Sequence, residues 1–480
     1  MRALVRLLSI LLASAALLAL VMARSGTMPS ATSAQRLVFG FAEADITPKI
    51  EGSTPVYLAG FGHNRRPTKV HDPIMLRAIV LGDGEKQVAL VSMDVIGFFY
   101  PEVQAIRKEL TDFHYVLVSS THNHEGPDTL GLWGASMVQS GVDPEYVKML
   151  RTKAVECVRA AAAAAKPAVA RWGMAKAPEL LRDSREPFIL HDDLVTLRFV
   201  EVADPAKNLG ILVQWNCHPE TMSSENTELT ADFPNWTTKA LRDKHNCSVV
   251  YFTGTVGGLM TSLGVPIKNE IGEALKDGTW EKTERYGRLL AERGSQAIAT
   301  DLPVVLTPLE VRSKTIYVNM TNPLYHLGRK LGVLERGVWE WSGDLYHARP
   351  GGPATTEADM AVETEVAALI FGDVRVACIP GEVYPELVLG KVQDPADPGA
   401  DFPDAPIEPA IYQSLGGKHR MLIGLANDEI GYIIPKRQWD EKPPYCYGRK
   451  RAQYGEQNSV GPAAAPAITR AMKELIGDLK

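Results

Sequence analysis

Short apolar runs rich in β-branched residues alternate, from about residue 37 onward, with segments whose apolar residues recur at helical spacing. "IMLRAIVL" and "QVALVSMDV" flank the turn "GDGEK", a pattern that predicts a β-hairpin. "PEVQAIRKEL", which opens with Pro101, predicts a helix, and "YVLVSS" after it predicts a buried strand. This alternation is typical of an α/β fold in which a mixed β-sheet core is flanked by helices.

The later segments continue this pattern. "PEYVKMLRTKAVECVRAAAAAA" and "WEKTERYGRLLAERGSQAIA" predict long helices, and "LVTLRFVEV", "LGILVQWNCH", "SVVYFTG" and "VRVACIPGE" predict strands. A further helix is expected near "TEVAALIFG", followed by a loop-rich end. Strand patterns resume after the stretches rich in proline and glycine, so we expect residues 37–480 to form a single large domain.

The N-terminus has the features of an export signal. Arg2 and Arg6 precede an apolar stretch from Leu7 to Met22, which predicts a signal peptide over residues 1–23. The apolar stretch is long enough that an uncleaved N-terminal anchor is the alternative. Residues 24–36 are a polar linker. We therefore expect an exported protein, periplasmic or extracellular.

The composition narrows the classes of partner. The 480 residues include 51 lysines and arginines and 57 acidic residues, so there is no basic excess that would indicate nucleic-acid binding. The five cysteines form no CxxC pair, which disfavours a thiolate zinc site. A small molecule is the favoured partner.

Four predicted strands end in side chains that can bind a metal or transfer a proton. These ends are "VLVSSTHNHEGP", "LVQWNCHPETM", "VRVACIPGEVYPE" and "MLIGLANDEIGYI", and they supply His122, His124, His218, Glu382, Asp428 and Tyr432. Open α/β sheets bind ligands at the carboxyl ends of their strands. Two imidazoles and a carboxylate are a common ligand set for catalytic zinc, which keeps one position open for water.

Each of these residues, taken alone, also has an ordinary structural explanation. Alternate residues of an extended segment point to opposite sides, so His122 and His124 meet at one metal only if the chain bends. His218 could be a hydrogen-bonded core residue, Glu382 a turn carboxylate and Tyr432 part of the core. Their shared position at strand ends favours a functional site.

Several blocks, in order along the chain, resemble the N-terminal catalytic domain of the neutral/alkaline, non-lysosomal ceramidases. "SSTHNHEGP" is similar to the family signature THxHSGP, and "FGFAEADITP", "NCHPETMSSENTELTADFPNW", "IPGE" and "LANDEIGYI...QYGEQNSVGP" are similar to blocks before and after it. The family is a zinc amidase. The resemblance therefore implies that residues 37–480 are a Zn²⁺-dependent hydrolase domain acting on a lipid amide such as N-acylsphingosine, with peripheral membrane contact left open.

The resemblance also implies roles for single residues. The family's metal ligands match His122, His218, Glu382 and Tyr432. His124 matches a histidine that contacts the substrate or the oxyanion, and Tyr454 matches a tyrosine that contacts the amide. In "LRDSREP", Arg185 rather than Arg182 matches an arginine that faces the site, with a surface ion pair as the equal alternative.

The sequence departs from the family pattern where the family carries its proposed nucleophilic serine. The matching loop reads "FTGTVGGLMTSLG", and the serine position falls near Leu259 or Met260. The serine of THxHSGP is replaced by Glu125, and no C-terminal immunoglobulin-like domain is expected before Lys480. This chain is thus predicted to be a divergent member that lacks the serine motif.

Without that serine, we expect water activated by zinc to attack the carbonyl carbon. His124 is the preferred proton acceptor, with Asp428 and Glu125 as alternatives, and Tyr454 with Arg185 would stabilise the oxyanion. Four residues are predicted to contact the substrate, namely Glu125, Thr255, Gly257 and Gly258; the two glycines let backbone amides approach it closely.

Two other functions stay open. One is a zinc hydrolase of other amides or esters, such as N-acyl amino acids or peptides. The other is a non-catalytic, ceramidase-like binding protein, which the altered "TVGGLMT" loop favours and the presence of all four ligand types disfavours.

Overall fold

Two mixed β-sheets lie at the centre of the fold in a computed structural model that describes residues 37–352 and 355–477. The predicted signal peptide, residues 1–23, and the linker, residues 24–36, lie outside the described residues. Within the described ranges, no helix combines the length and the apolar character needed to cross a bilayer.

The described residues contain eight α-helices. In chain order they are α1 (Tyr100–Glu109), α2 (Pro144–Ala163), α3 (Phe233–His245), α4 (Trp280–Ala299), α5 (Pro323–Lys330), α6 (Pro385–Leu389), α7 (Ile411–Leu415) and α8 (Ala464–Gly477).

The strands of the same ranges, also in chain order, are β1 (Val38–Asp45), β2 (Lys69–Val70), β3 (Met75–Gly82), β4 (Gln87–Met93), β5 (Tyr115–Ser120), β6 (Lys166–Lys176), β7 (Arg182–Asp183), β8 (Asp193–Glu201), β9 (Asn208–Trp215), β10 (Glu228–Leu229), β11 (Ser248–Thr253), β12 (Met260–Thr261), β13 (Leu302–Val304), β14 (Leu309–Asn319), β15 (Trp339–Glu340), β16 (Arg349–Pro350), β17 (Met360–Phe371), β18 (Val374–Cys378), β19 (Glu382–Val383), β20 (His419–Ile423) and β21 (Tyr432–Ile433).

The first sheet has the strand order β11-β9-β8-β6-β1-β3-β4-β5, with β13 paired to β6. Strands β3 and β4 form the predicted antiparallel hairpin, whereas β4 pairs parallel with β5 through the crossover helix α1. The second sheet has the order β16-β15-β17-β18-β20, with β14 paired to β17. The prediction of an α/β fold with a mixed sheet core is confirmed.

The helix expected near "TEVAALIFG" is wrong, because this segment up to Phe371 lies in strand β17 and pairs with β14. Val362 and Val366 of β17 enter one buried cluster, whereas Leu369 and Phe371 enter another. Both faces of the strand are therefore buried, and its apolar run has no alternation to distinguish it from a buried helix.

The two sheets share a buried cluster that takes residues from each, for example Phe252 from β11 and Val376 from β18. Helices α1 and α2 pack on the first sheet, and α8 packs on β14 and β17 of the second. Five helices, α3 and α5 to α8, were not predicted. Helix α3 begins at the Asp232 cap in "DFPNW", and α8 occupies part of the end predicted to be loop-rich.

The carboxyl-terminal edges of the two sheets meet. The Gly424 amide, just after β20, donates to the Thr253 carbonyl at 2.9 Å, and the Asn427 amide donates to the Val118 carbonyl at 2.6 Å. The loops that leave β5, β9, β18 and β20 therefore gather at one place, as ligand sites of α/β proteins commonly do.

Candidate metal centre

The loop after β5 carries the first two histidines on one side of the chain. His122 has a left-handed backbone (φ 67°), and its amide and that of Asn123 both donate to the Val95 carbonyl at 3.1 Å. The ring centroids of His122 and His124 lie 5.0 Å apart. The left-handed residue thus supplies the bend without which alternate residues would face opposite ways.

Two of the histidines are held by backbone carbonyls. Nδ1 of His122 lies 2.7 Å from the Ile96 carbonyl, and Nδ1 of His218 lies 2.8 Å from the Met260 carbonyl. A carbonyl only accepts, so each Nδ1 carries a proton, and each Nε2 is the ring nitrogen left to face Glu382 and to bind a metal. Such a contact fixes ring orientation and tautomer in metal-binding histidines.

Glu382 and Tyr432 come to the same place on two short strands. Strands β19 and β21 pair parallel with Glu382 opposite Tyr432. Oε2 of Glu382 lies 3.0 Å from Nε2 of His218 and 3.4 Å from Nε2 of His122, and the Tyr432 hydroxyl lies 3.4 Å from Nε2 of His218. The structure therefore brings the four predicted ligands together; their binding of zinc stays a prediction.

The spacing of these atoms fits a metal ion. Two ligands bonded to one zinc ion at roughly 2.0–2.1 Å in a tetrahedral arrangement lie about 3.3 Å from each other. The separations from Glu382 to the two imidazoles, 3.0 and 3.4 Å, match that edge. Ring nitrogens of His122, His124 and His218 also lie within 4.8 Å of one another, so these three residues could hold a metal.

The buried charges of the cluster depend on one another. Burial acts to raise the pKa of Glu382, but the His122 and His218 imidazoles outweigh it and lower this pKa to about 2. Burial, together with His122 and His218, lowers the pKa of His124 well below its usual range. His124 is therefore a neutral imidazole at pH 7, the form that binds metals.

A cavity of about 700 Å³ opens over this cluster. Tyr454, which is 45% exposed, contributes to its wall, and its ring lies 5.9 Å from that of Tyr432. Apolar side chains line much of the remainder, namely Phe61, Ile96, Phe99, Leu130, Leu132, Trp133, Leu259, Leu263, Leu324 and Leu334. The cavity has the size and the mixed character of a small-molecule site.

Arg185 does not line the cavity. Its guanidinium binds both oxygens of Glu456, at 2.9 and 2.7 Å, and donates to the Tyr454 carbonyl at 2.6 Å. Only 2% of Arg185 is exposed. It holds the segment of Tyr454 from behind, whereas the exposed Arg182 of the same motif lines the cavity.

Asp428 and Glu125, the alternative proton acceptors, also lie outside the cavity wall. Asp428 is fully buried and receives hydrogen bonds from Arg336 at 2.8 Å and from the Tyr100 amide at 3.0 Å. Glu125 pairs with Arg65 at 2.7 Å, and burial raises the pKa of Glu125 to about 8. Both carboxyl groups connect loops within the fold.

The predicted substrate loop shapes the site without contacting the cavity at Thr255, Gly257 or Gly258. The Thr255 hydroxyl lies 2.8 Å from Nδ1 of His191, and the Gly257 amide donates to the Val383 carbonyl at 3.0 Å. A Cβ at Gly257 would lie 2.4 Å from the Tyr384 ring. The glycine is needed because the loop passes directly behind the strand that carries Glu382.

Two carboxyl groups of the cavity were not predicted, the buried Glu429 and the half-buried Glu220. Glu220 follows His218 by two residues in "HPET", and Glu429 precedes Tyr432 in "NDEIGY", so both lie in quoted motifs without having been assigned. Burial, aided by Glu382, raises the pKa of Glu429 well above its usual range. The position of Glu220 beside a predicted ligand, past a strand end, was the signal that could have identified it.

Comparison with known proteins identifies the fold. No protein-family model and no curated protein matches the sequence. Two solved structures match with a TM-score of 0.68 over 93% of this chain. One is a ceramidase complexed with C2, at 14% identity over 75% of that chain, and the other is the neutral ceramidase from Pseudomonas aeruginosa, at 15% identity over 74% of that chain. The chain has a ceramidase-like fold.

Proposed function

We propose that this protein is a zinc-dependent hydrolase of an amide bond, with a lipid amide of the N-acylsphingosine type as the first candidate substrate. The convergence of His122, His218 and Glu382, from three distant parts of the chain, at the floor of a partly apolar cavity carries the proposal. The ceramidase-like fold supports it.

Zinc bound there would polarise the carbonyl and lower the pKa of bound water to about 7. The chain's own residues would hold and orient the substrate. Tyr454 and Arg182 both line the cavity and carry hydrogen-bond donors, so these two are the residues suited to stabilise an oxyanion. Arg185 would act through Tyr454, whose carbonyl it binds.

The apolar wall favours a substrate with a hydrocarbon or aromatic arm. Ile96, Phe99, Leu130 and Leu334 belong to one buried apolar cluster that reaches the cavity. Burial of such an arm contributes about 25 cal/mol per Å² of apolar area. The exposed Arg182 favours N-acyl amino acids as a second substrate class, because a guanidinium pairs well with their carboxylate.

The test compares purified protein and the His122→Ala variant in zinc content and in hydrolysis of fluorescent ceramide and short N-acyl amides. We expect one tightly bound zinc and turnover in the wild type, and loss of both in the variant. His245→Ala, which removes a histidine bonded to Ser295 away from the cavity, is the control. Hydrolysis without zinc would refute the proposal, and turnover of short amides alone would select the second substrate class.

We also propose that helix α5 contacts a membrane when the substrate is a lipid. Leu324, Leu327 and Leu331 are 57%, 49% and 45% exposed at helical spacing, and Leu324 reaches the cavity. Leu327→Ser with Leu331→Ser should reduce sedimentation with phosphatidylcholine vesicles. Leu302→Ser, which removes a leucine of similar exposure on β13, should not.

Export remains a proposal that rests on the N-terminal sequence, Arg2 to Met22. Sequencing the N-terminus of the mature protein tests it. A new N-terminus near residue 24 supports a cleaved signal, and an intact N-terminus in the membrane fraction supports the anchor.

A further inference from the structure

We propose that His124 is a third imidazole ligand of the metal, beside His122 and His218, and that Glu220 is the positioning residue that orients it. The inference rests on the proposed function only in requiring that a metal binds at this cluster. It assigns His124 a role different from that of the proton acceptor predicted from the sequence.

The first argument is the orientation of the other two imidazoles. In His122 and His218, Nδ1 is bound by a carbonyl behind the ring, and Nε2 is left facing the cluster. Nδ1 of His124 lies 3.6 Å from Oε2 of Glu220. The Glu220 carboxylate is thus the neighbour of this Nδ1, as the Ile96 and Met260 carbonyls are the neighbours of Nδ1 in His122 and His218. Carboxylates commonly hold metal-binding histidines in this way.

The second argument is that His124 lacks partners for both of its ring nitrogens. The residue is only 8% exposed, and neither nitrogen has a hydrogen bond to any residue of the described ranges. An unpartnered buried polar group costs about 1–3 kcal/mol. A metal at one nitrogen and Glu220 at the other would satisfy both.

The packing of Gly60 against His124 fixes the orientation of the imidazole ring. A Cβ at Gly60 would lie 2.3 Å from Cγ and 2.6 Å from Nδ1 of His124, so the Gly60 backbone lies against that edge. Nε2, across the ring, is the atom left for the metal. A larger residue at position 60, which already has a φ of 91°, would displace the imidazole.

Glu220 is itself held in place. Its Oε1 accepts a hydrogen bond from the Thr261 hydroxyl, and Thr261 lies on β12, which pairs with β7. The His124 amide donates to the Pro219 carbonyl at 3.1 Å, so the segments of His124 and Glu220 are joined by their backbones. The loop that lacks the family serine therefore contributes to the cluster twice, through the Met260 carbonyl and through Thr261.

The experiment measures zinc affinity by competition with a chelator in the full chain, and the absorption spectrum of the Co²⁺-loaded protein. Loss of a carboxylate behind a metal-bound histidine costs about 10–100-fold in metal affinity. We expect Glu220→Gln to weaken zinc binding by that factor and His124→Ala by at least as much. The double variant should be no weaker than His124→Ala alone, because Glu220 acts through His124.

Glu386→Gln is the control, since it removes a buried carboxyl outside the cavity wall and should leave zinc affinity unchanged. Should Glu220→Gln fail to fold, Thr261→Val tests the same contact with a smaller loss of affinity. Unchanged zinc affinity and an unchanged Co²⁺ spectrum in His124→Ala would overturn the proposal and return His124 to proton transfer. A wild type that binds no metal would refute the proposed function itself.

Discussion

Replacing Arg185 by methionine tests whether this arginine stabilises the fold or contacts the substrate. Arg185 is almost fully buried and donates to both oxygens of Glu456 and to the carbonyls of Tyr454 and Gln438. Removing one partner of a buried ion pair leaves an uncompensated charge and costs about 3–5 kcal/mol. With an unfolding entropy of about 2 cal/mol/K per residue over about 440 residues, this corresponds to a fall in Tm of about 3–5 °C.

Differential scanning calorimetry measures this change, with zinc content and amide turnover recorded on the same samples. Arg182→Met is the control, because that side chain is exposed at the cavity, and its loss should change Tm by less than about 1 °C while lowering turnover. Adding Glu456→Gln to Arg185→Met should recover part of the lost stability, since it removes the unpaired charge. An Arg185→Met variant with normal Tm and abolished turnover would refute the structural role and support contact with the substrate.

Three further predictions concern stability. Dialysis against a chelator should lower Tm, and added Zn²⁺ should restore it in the wild type but not in His122→Ala, because a ligand of the folded state stabilises that state. Burial raises the pKa of Glu386 to about 8, so the folded protein retains a proton that the unfolded chain releases near pH 4.5. Stability should therefore fall as pH rises from about 4.5 to about 8, and urea unfolding of Glu386→Gln should be less sensitive over that window; equal slopes would contradict this. Gly257→Ala should lower the free energy of unfolding by about 1–3 kcal/mol, because its Cβ would lie 2.6 Å from the Tyr384 amide nitrogen; an unchanged urea midpoint would show that the loop can move away.

The sequence predicted the parts of the site that depend on chain order and strand ends. The loops of His122, His218, Glu382 and Tyr432 meet because they leave neighbouring sheet edges, which the strand pattern indicates. Side-chain direction was not available from this pattern. A single left-handed residue, His122, decides that both histidines face one side.

Which residues are buried depends on partners far along the chain, which the sequence does not show. Arg185 and Arg182 are three residues apart in one motif, and only the ion pair with distant Glu456 shows which one is buried. Asp428 was assigned to the site, but its partner Arg336 comes from a segment to which no role was assigned. Strand β17 was predicted as a helix because the sequence does not show that both of its faces are buried. That follows only from the way the strand packs between two buried clusters.

The distance along the chain between His218 and Glu382, 164 residues, has a consequence for the order of events during synthesis. The imidazole emerges from the ribosome long before the carboxylate that it contacts, and the second sheet must form before the two can meet. At the usual rate of about 5–20 residues per second, that interval is about 8–33 seconds. A metal ion would therefore meet its complete set of ligands only at the end of folding, and a nascent chain truncated before residue 382 should not retain it.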